Sequence, residues 1–372
     1  MDLTFSDEQN ELRTVVRSFL ARYSDEAAVR RLAADPRGHD RAVWRRLAGE
    51  VGVQGLAVPE EYGGSGFGYV ELGVVFEEAG RALLCAPLYA TVALAAEALL
   101  RCRDERARRD LLPGIAGGDT VATLALTEDT GRWDAPGIRL TARETATGWR
   151  LTGTKTYVPD GHVADLLLVA ARTPGGISLF AVDAGAPGLT RTPLATLDET
   201  RKQARLEFAG TPARLLGAEG TAWPVLERTL ATAAVLLAAE QVGGAAAALD
   251  SAVAYAKIRE QYGRPIGSFQ GIKHKCADTL VEIEAARSAC YAGLWALDAG
   301  DETETAVSAA LAQAFCSEAF TRVAGDAIQI HGGIGFTWEH PAHLYFKRAK
   351  SSETLLGPPS YHRELLATRL GI

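Results

Sequence analysis

The sequence predicts an α+β fold, with helices at both ends of the chain and a β-rich segment between them. Three observations carry this. Apolar residues recur at three- and four-residue spacings up to about residue 117, short apolar or alternating runs follow from 121 to 208, and long Ala-rich helical stretches resume near Gly220. The expected divisions are an N-terminal all-helical domain over 1–118, a middle β-domain over 119–219 and a C-terminal helical bundle over 220–372.

Each element has its own signal. Residues 7–22 place Leu12, Val15, Val16, Phe19 and Leu20 on one helical face, with Ser6 as N-cap, and 42–51 repeats the pattern. A Gly/Pro-rich loop, GLAVPEEYGGSGFG, occupies 55–68. Helices are expected over 69–84 and 87–100, and a charged one over 101–112 that stops at Pro113. The strand-like runs are 121–126, 138–143, 149–158, 165–171, 177–182 and 204–208, bounded by Gly, Pro and Asp. Helices over 221–259, 268–298, 305–328 and 360–370 complete the chain.

Composition excludes several classes. Acidic residues (46) outnumber Lys plus Arg (39), and the net charge of −7 disfavours a nucleic-acid surface, which needs clustered cations. Residues 229–249 could imitate a membrane span, but they are mostly Ala and Gly, carry Glu240 near the middle and contain Gly243-Gly244, so a buried bundle helix is expected and no membrane segment. The start shows no basic stretch followed by an apolar core, and a cytoplasmic location is expected. The five cysteines are odd in number and widely spaced, as reduced structural thiols are, and no metal site is expected.

Some strings only mimic function. GWRLTGTK (148–155) has Gly-Thr-Lys rather than Gly-Lys-Thr and lies in strand-like alternation, so it is not a triphosphate loop. EHPAH (339–343) sets His340 and His343 three apart, but Pro341 interrupts a helix across them; polar residues at a loop or helix start is the expected reading.

Further strings are unusual as a set: ALTE (125–128), GTKTYVPDG (153–161), REQYGRPIGSFQ (259–270), QIHGGIGF (329–336) and the earlier GLAVPEEYGG. With the helix–β–helix order, they resemble the acyl-CoA dehydrogenase family of flavoproteins over essentially the whole chain. The resemblance implies an N-terminal helical domain, a middle β-barrel-like domain and a C-terminal four-helix bundle, with FAD in a cleft and a neighbouring subunit covering part of it. It implies that the stretch from Leu124 through Leu126 to Thr127 holds the flavin's pyrimidine edge by main-chain donors and the Thr127 hydroxyl, and that Tyr157 packs on the ring. It further implies that Arg259 reaches the pyrophosphate of an FAD bound mainly by a partner subunit, with Gln270, Gln329 and Gly333 along the same tract. Outside that pattern, Arg259 would read as a surface ion pair with Glu260 or another acid.

Departures from the family are as informative. Its catalytic carboxylate falls, by gapless counting, on Leu356, or in some members on Ala233, and the substrate-side Arg falls on Ala234. Neither Leu nor Ala can take a proton. The family's TEP-x-AGSD reads TEDTGRWD here, placing Trp133 where a small Ser is usual; Pro159 and Pro358 replace expected Thr residues. Glu240, two helical turns beyond Ala233, and Glu353, three residues before Leu356, are the candidate substitutes for the base, Glu240 also reading as a structural acid paired to Arg or Tyr.

The expected function is an FAD-dependent acyl-CoA dehydrogenase-type oxidoreductase that forms an α,β double bond in an acyl thioester, with its usual catalytic Glu missing. LLGPPSYHRELLA (355–367) resembles the bacterial hetero-oligomeric subgroup, some of which act on steroid side chains. The expected partners are acyl-CoA or a related acyl thioester, a second subunit of the same or another kind in a dimer or tetramer sharing the FAD site, and an electron-transfer flavoprotein as acceptor. Two alternatives stand beside it: a non-catalytic or flavin-poor subunit of a hetero-oligomeric dehydrogenase, and a pathway-specific flavoenzyme acting on carrier-bound acyl groups.

Overall fold

The computed structural model describes residues 5–372. In chain order the elements are helices α1 (Asp7–Tyr23), α2 (Glu26–Ala34), α3 (Arg41–Arg46) and α4 (Tyr69–Arg81); a π-helical stretch Tyr89–Ala96 that continues as α5 (Glu97–Arg101); and α6 (Glu105–Ala116). Strands β1 (Ala122–Ala125), β2 (Thr141–Thr145), β3 (Gly148–Pro159), β4 (Leu166–Thr173), β5 (Gly176–Asp183), β6 (Leu189–Pro193) and β7 (Gln203–Leu216) follow. Then come α7 (Ala222–Ile258), a small hairpin of β8 (Glu260–Gln261) and β9 (Arg264–Pro265), α8 (Gln270–Asp298), α9 (Glu302–His331), α10 (Ala342–Thr354) and α11 (Pro359–Leu370).

Local chemistry starts these helices where it should. Ser6 and Gln9 form a reciprocal capping box at α1, and Asp40, Asp104 and Asp301 accept main-chain N–H bonds at the starts of α3, α6 and α9. Pro113 does not stop α6, contrary to the sequence expectation. It forfeits one N–H near the helix end, and the helix finishes one turn later with Gly117 N–H on Pro113 O at 2.9 Å.

Strands β4, β2, β3, β7 and β5 pair in that order, and β5 pairs back to β4, so they close a ring. This is the barrel-like middle domain. The β2–β4 seam is a single parallel pair, Thr141 with Arg172. β1 pairs only with β4 and so keeps one edge outside the ladder, while β6 adds to β7.

The chain divides into two compact units. One comprises Arg31–Gly68 and Cys85–Ala233; it holds the strands, packed on buried Leu151, Leu168, Val169, Phe180 and Leu206. The other comprises the chain up to Arg30, Tyr69–Leu84 and Ala234–Ile372. Its bundle core joins Leu249, Ala252, Ile283, Phe320, Val323 and Ile330.

Helix α7 is long and apolar enough to span a membrane, yet 78% of its most apolar window is buried inside the fold. Glycines let it pack this tightly in the second unit. A Cβ at Gly243 would lie 1.8 Å from Glu77 O, and one at Gly80 1.9 Å from Glu240 O, so α4 and α7 meet backbone to backbone. Gly243→Ala is therefore expected to lower the unfolding free energy by about 1–3 kcal/mol or more. Equilibrium urea denaturation with an unchanged midpoint would contradict this contact.

Candidate functional site

The strand unit carries a cluster of polar main-chain groups at the end of β1. Ala122 N–H donates to Thr91 Oγ1 (3.2 Å), away from β4. Strand periodicity puts the N–H groups of Leu124 and Leu126 on that same unladdered side. Leu126 and Thr127 are buried, and among the described residues their N–H groups have no acceptor. Their carbonyls, by contrast, are both taken: Leu126 O accepts from Lys155 Nζ at 2.8 Å and Thr127 O from Thr156 N–H at 3.0 Å. The Thr127 hydroxyl donates to Thr156 O at 2.6 Å and keeps its lone pairs. Buried unfilled donors are costly unless something accepts from them.

Facing this cluster, β3 carries a bulge. Lys155 pairs with Leu206 and Val158 with Ala204, so β3 has one residue more than β7 across that interval. Tyr157 sits in the bulge at φ +59°, a conformation costly for an aromatic residue, and presents its ring to solvent, 43% exposed. Thr156 Oγ1 donates to Asp129 Oδ1 at 2.7 Å, which Arg205 also bonds at 2.7 Å; these bonds hold the Asp129 carboxyl below the usual range. Pro159, at the end of β3, accepts from Thr123 Oγ1 at 2.6 Å and offers no donor; Trp133 is buried.

The sequence reading does not single out Lys155, although its position carries a signal. Counting by two from buried Leu151 puts Lys155 on the interior face of β3, an unusual phase for an ammonium group. It is fully buried and bonds Leu126 O and Glu128 Oε1 (2.9 Å). Burial pulls its pKa down to about 8, against the upward pull of Glu128. Glu128 in turn accepts from the main-chain N–H groups of Arg139 (2.7 Å) and Leu140 (2.8 Å).

The helical unit carries the other predicted residues, all on its exterior. Arg259, Gln270, Gln329 and Gly333 are exposed. Among the described residues the Arg259 guanidinium has no acidic partner, so the ion pair with Glu260 does not form. Gly332 adopts φ +63°, ψ −139°, a conformation open essentially to glycine alone.

The two residues that counting against the family puts at the base positions carry no proton acceptor. Ala233 and Leu356 are buried, and Leu356 is held at φ +66°. His362 bonds Leu356 O (3.1 Å), and Gln313 Nε2 bonds Leu355 O (3.2 Å). Of the candidate substitutes, Glu240 is buried in an ion pair with Arg348 at 2.7 Å, bridging α7 and α10, and Glu353 pairs with Lys350 on α10. Glu240 thus has the geometry of a structural acid. GWRLTGTK lies within β3, and among the described residues no group of three metal-ligating side chains occurs. In EHPAH, His340 lies against His331 (4.1 Å between ring centroids) and His343 against Trp338, ahead of and at the start of α10.

Helices before, a strand ring within and a long-helix bundle after, with a donor cluster at one strand end, define the acyl-CoA dehydrogenase class of fold. The chain belongs to the acyl-CoA dehydrogenase family: models of the N-terminal, middle and C-terminal domains match residues 6–119, 123–210 and 220–371. It is 38% identical over 368 residues to the acyl-CoA dehydrogenase IpdE2 of Mycobacterium tuberculosis, covering 98% of this chain and 96% of that protein. Among solved structures it resembles the ChsE4–ChsE5 complex of Mycobacterium tuberculosis (TM-score 0.91, 32% identity, 100% of this chain and 99% of that one). It also resembles a variant of the Tcur3481–Tcur3483 steroid ACAD (TM-score 0.88, 35% identity, 98% of each chain).

The Glu240–Arg348 pair yields a test. Arg348→Met removes the guanidinium from a buried carboxylate and is expected to cost about 3–5 kcal/mol in stability; adding Glu240→Leu should recover most of that. A cost below about 1 kcal/mol for Arg348→Met by chemical denaturation would show Glu240 to be free of Arg348.

Proposed function

We propose that this chain is the subunit of an FAD-dependent acyl thioester dehydrogenase that completes the cofactor site without supplying the catalytic base. The observation that carries the reading is the coexistence of unfilled donors at the end of β1 with buried Leu356 and Ala233 at both customary carboxylate positions. The donors suit the acceptor-rich pyrimidine edge of a flavin, and Tyr157 presents an aromatic face beside them.

When bound, FAD supplies a two-electron acceptor for a β hydrogen of the acyl group. The chain's own part is binding and orientation. Thr127 and the main chain of Leu124 and Leu126 hold the ring edge, and Tyr157 covers it. Arg259 offers a guanidinium without an acidic partner to a pyrophosphate, with Gln270, Gln329 and Gly333 beside that tract; their exposure suits a cofactor shared with a second subunit. Removal of the α proton then falls to a carboxylate on a homologous partner chain. The relatives named for steroid dehydrogenation and for a two-chain complex support an assembly of this kind and a bulky acyl substrate on CoA, with an electron-transfer flavoprotein as the electron acceptor.

A flavin-poor scaffolding subunit is the second reading, favoured by Pro159, which has neither N–H nor hydroxyl to offer, and by bulky Trp133 where a small Ser is usual. Co-expression with a carboxylate-bearing homologue separates the two. The first reading expects a yellow complex that dehydrogenates acyl-CoA while this chain alone does not. An ordinary rate from this chain alone overturns it, and a complex with flavin contributed only by the partner establishes the scaffold.

A further inference from the structure

Lys155 is a fully buried charge beside the β1 donors. Its ammonium bonds the carbonyl of the Leu126–Thr127 peptide at 2.8 Å. The N–H of that same peptide belongs to buried Thr127 and has no acceptor among the described residues. A trans peptide aims its C=O and N–H in opposite directions. Lys155 therefore fixes which way the Thr127 N–H points, and a cation on the carbonyl oxygen draws electron density from the amide and strengthens the N–H as a donor.

A purely structural ammonium would be an expensive way to satisfy one carbonyl, which a water or a hydroxyl could satisfy without burying a charge. Glu128 completes the arrangement. It neutralises Lys155 at 2.9 Å and is itself fixed by two main-chain N–H bonds from Arg139 and Leu140. We propose that Lys155 is a positioning residue for the flavin: it orients and polarises the Leu126–Thr127 peptide so that the Thr127 N–H serves as a strengthened donor to an electron-rich acceptor of the cofactor. The proposal rests on the flavin-site reading above and assigns a residue that does not itself touch the cofactor.

The charged groups around Lys155 are few. Glu128, on the segment after β1, is its direct partner; Asp129 from the same segment, and Arg205 and Glu207 from β7, pair among themselves. With burial lowering the Lys155 pKa to about 8, the ammonium is charged below that value and neutral above it. FAD affinity of the native protein should therefore fall as pH rises through about 8.

The experiment measures FAD binding to the flavin-stripped full chain, in its native assembly, by fluorescence quenching across this pH range, for the native protein, Lys155→Met and Glu128→Gln. Lys155→Met is expected to weaken FAD binding by about ten- to a hundredfold below pH 8 and to flatten the pH dependence. Lys155→Arg, which restores the charge, should recover part of the affinity. Glu128→Gln keeps an acceptor oxygen but removes the counter-charge, so the midpoint of the affinity loss should move to lower pH. Should Lys155→Met fail to fold, the Glu128→Gln midpoint decides: a shift supports the proposal and an unmoved midpoint overturns it. A folded Lys155→Met that binds FAD as the native protein does, with the same pH profile, overturns the proposal and leaves the flavin reading intact. Absence of FAD binding by the native assembly at every pH overturns both.

Discussion

A single ammonium is sealed beneath the end of β1, and the segment around it is arranged to satisfy it. Lys155 must find acceptors inside the fold, because an unpaired buried charge would cost several kcal/mol. It takes Leu126 O and Glu128, and Glu128 gathers the N–H groups of Arg139 and Leu140. The stretch after β1 is thus anchored through its carbonyls, while its N–H groups stay available. The β3 bulge next to Lys155 turns Tyr157 outward into a left-handed conformation, so the same segment that seals the charge also exposes the aromatic ring.

The helical unit solves a different problem. Its long helices approach closely through Gly80 and Gly243, and its buried charges are paired: Glu240 with Arg348, and Glu77 and Glu78 with Arg13 and Arg17. Leu356 is buried in a strained backbone position, beneath carbonyls bonded by His362 and Gln313. That loop is ordered around an apolar side chain rather than around an acid.

Much of this was legible in the sequence where one face of an element is strictly apolar. Helix α1 and the long bundle helices show the spacing plainly, and the short apolar strand runs stand out between Gly, Pro and Asp. Three elements carried no such signal. In α2 the apolar residues Ala28, Val29, Leu32 and Ala33 span barely two turns. β6 is largely exposed on both faces and shows no alternation. α10 buries Arg348 and Ser352, so polar residues occupy its inward positions and erase the apolar period. Within the candidate site, the ALTE and GTKTYVPDG strings could be read as motifs. The bulge at Tyr157 could not, because it depends on the register against β7 and no glycine marks it. Lys155 was hidden inside a string that mimics a phosphate loop, though its strand phase placed it inward.

On the proposed function, the chain holds a flavin but supplies no base of its own. The most direct measurement is anaerobic titration of the FAD-loaded chain with a panel of acyl-CoA thioesters, following the flavin's visible absorbance, for the native chain and for Leu356→Glu. An undiminished flavin band is expected for the native chain and bleaching for Leu356→Glu. Bleaching of the native chain on its own would contradict it, and would require a proton acceptor that the buried Leu356 and Ala233 do not provide.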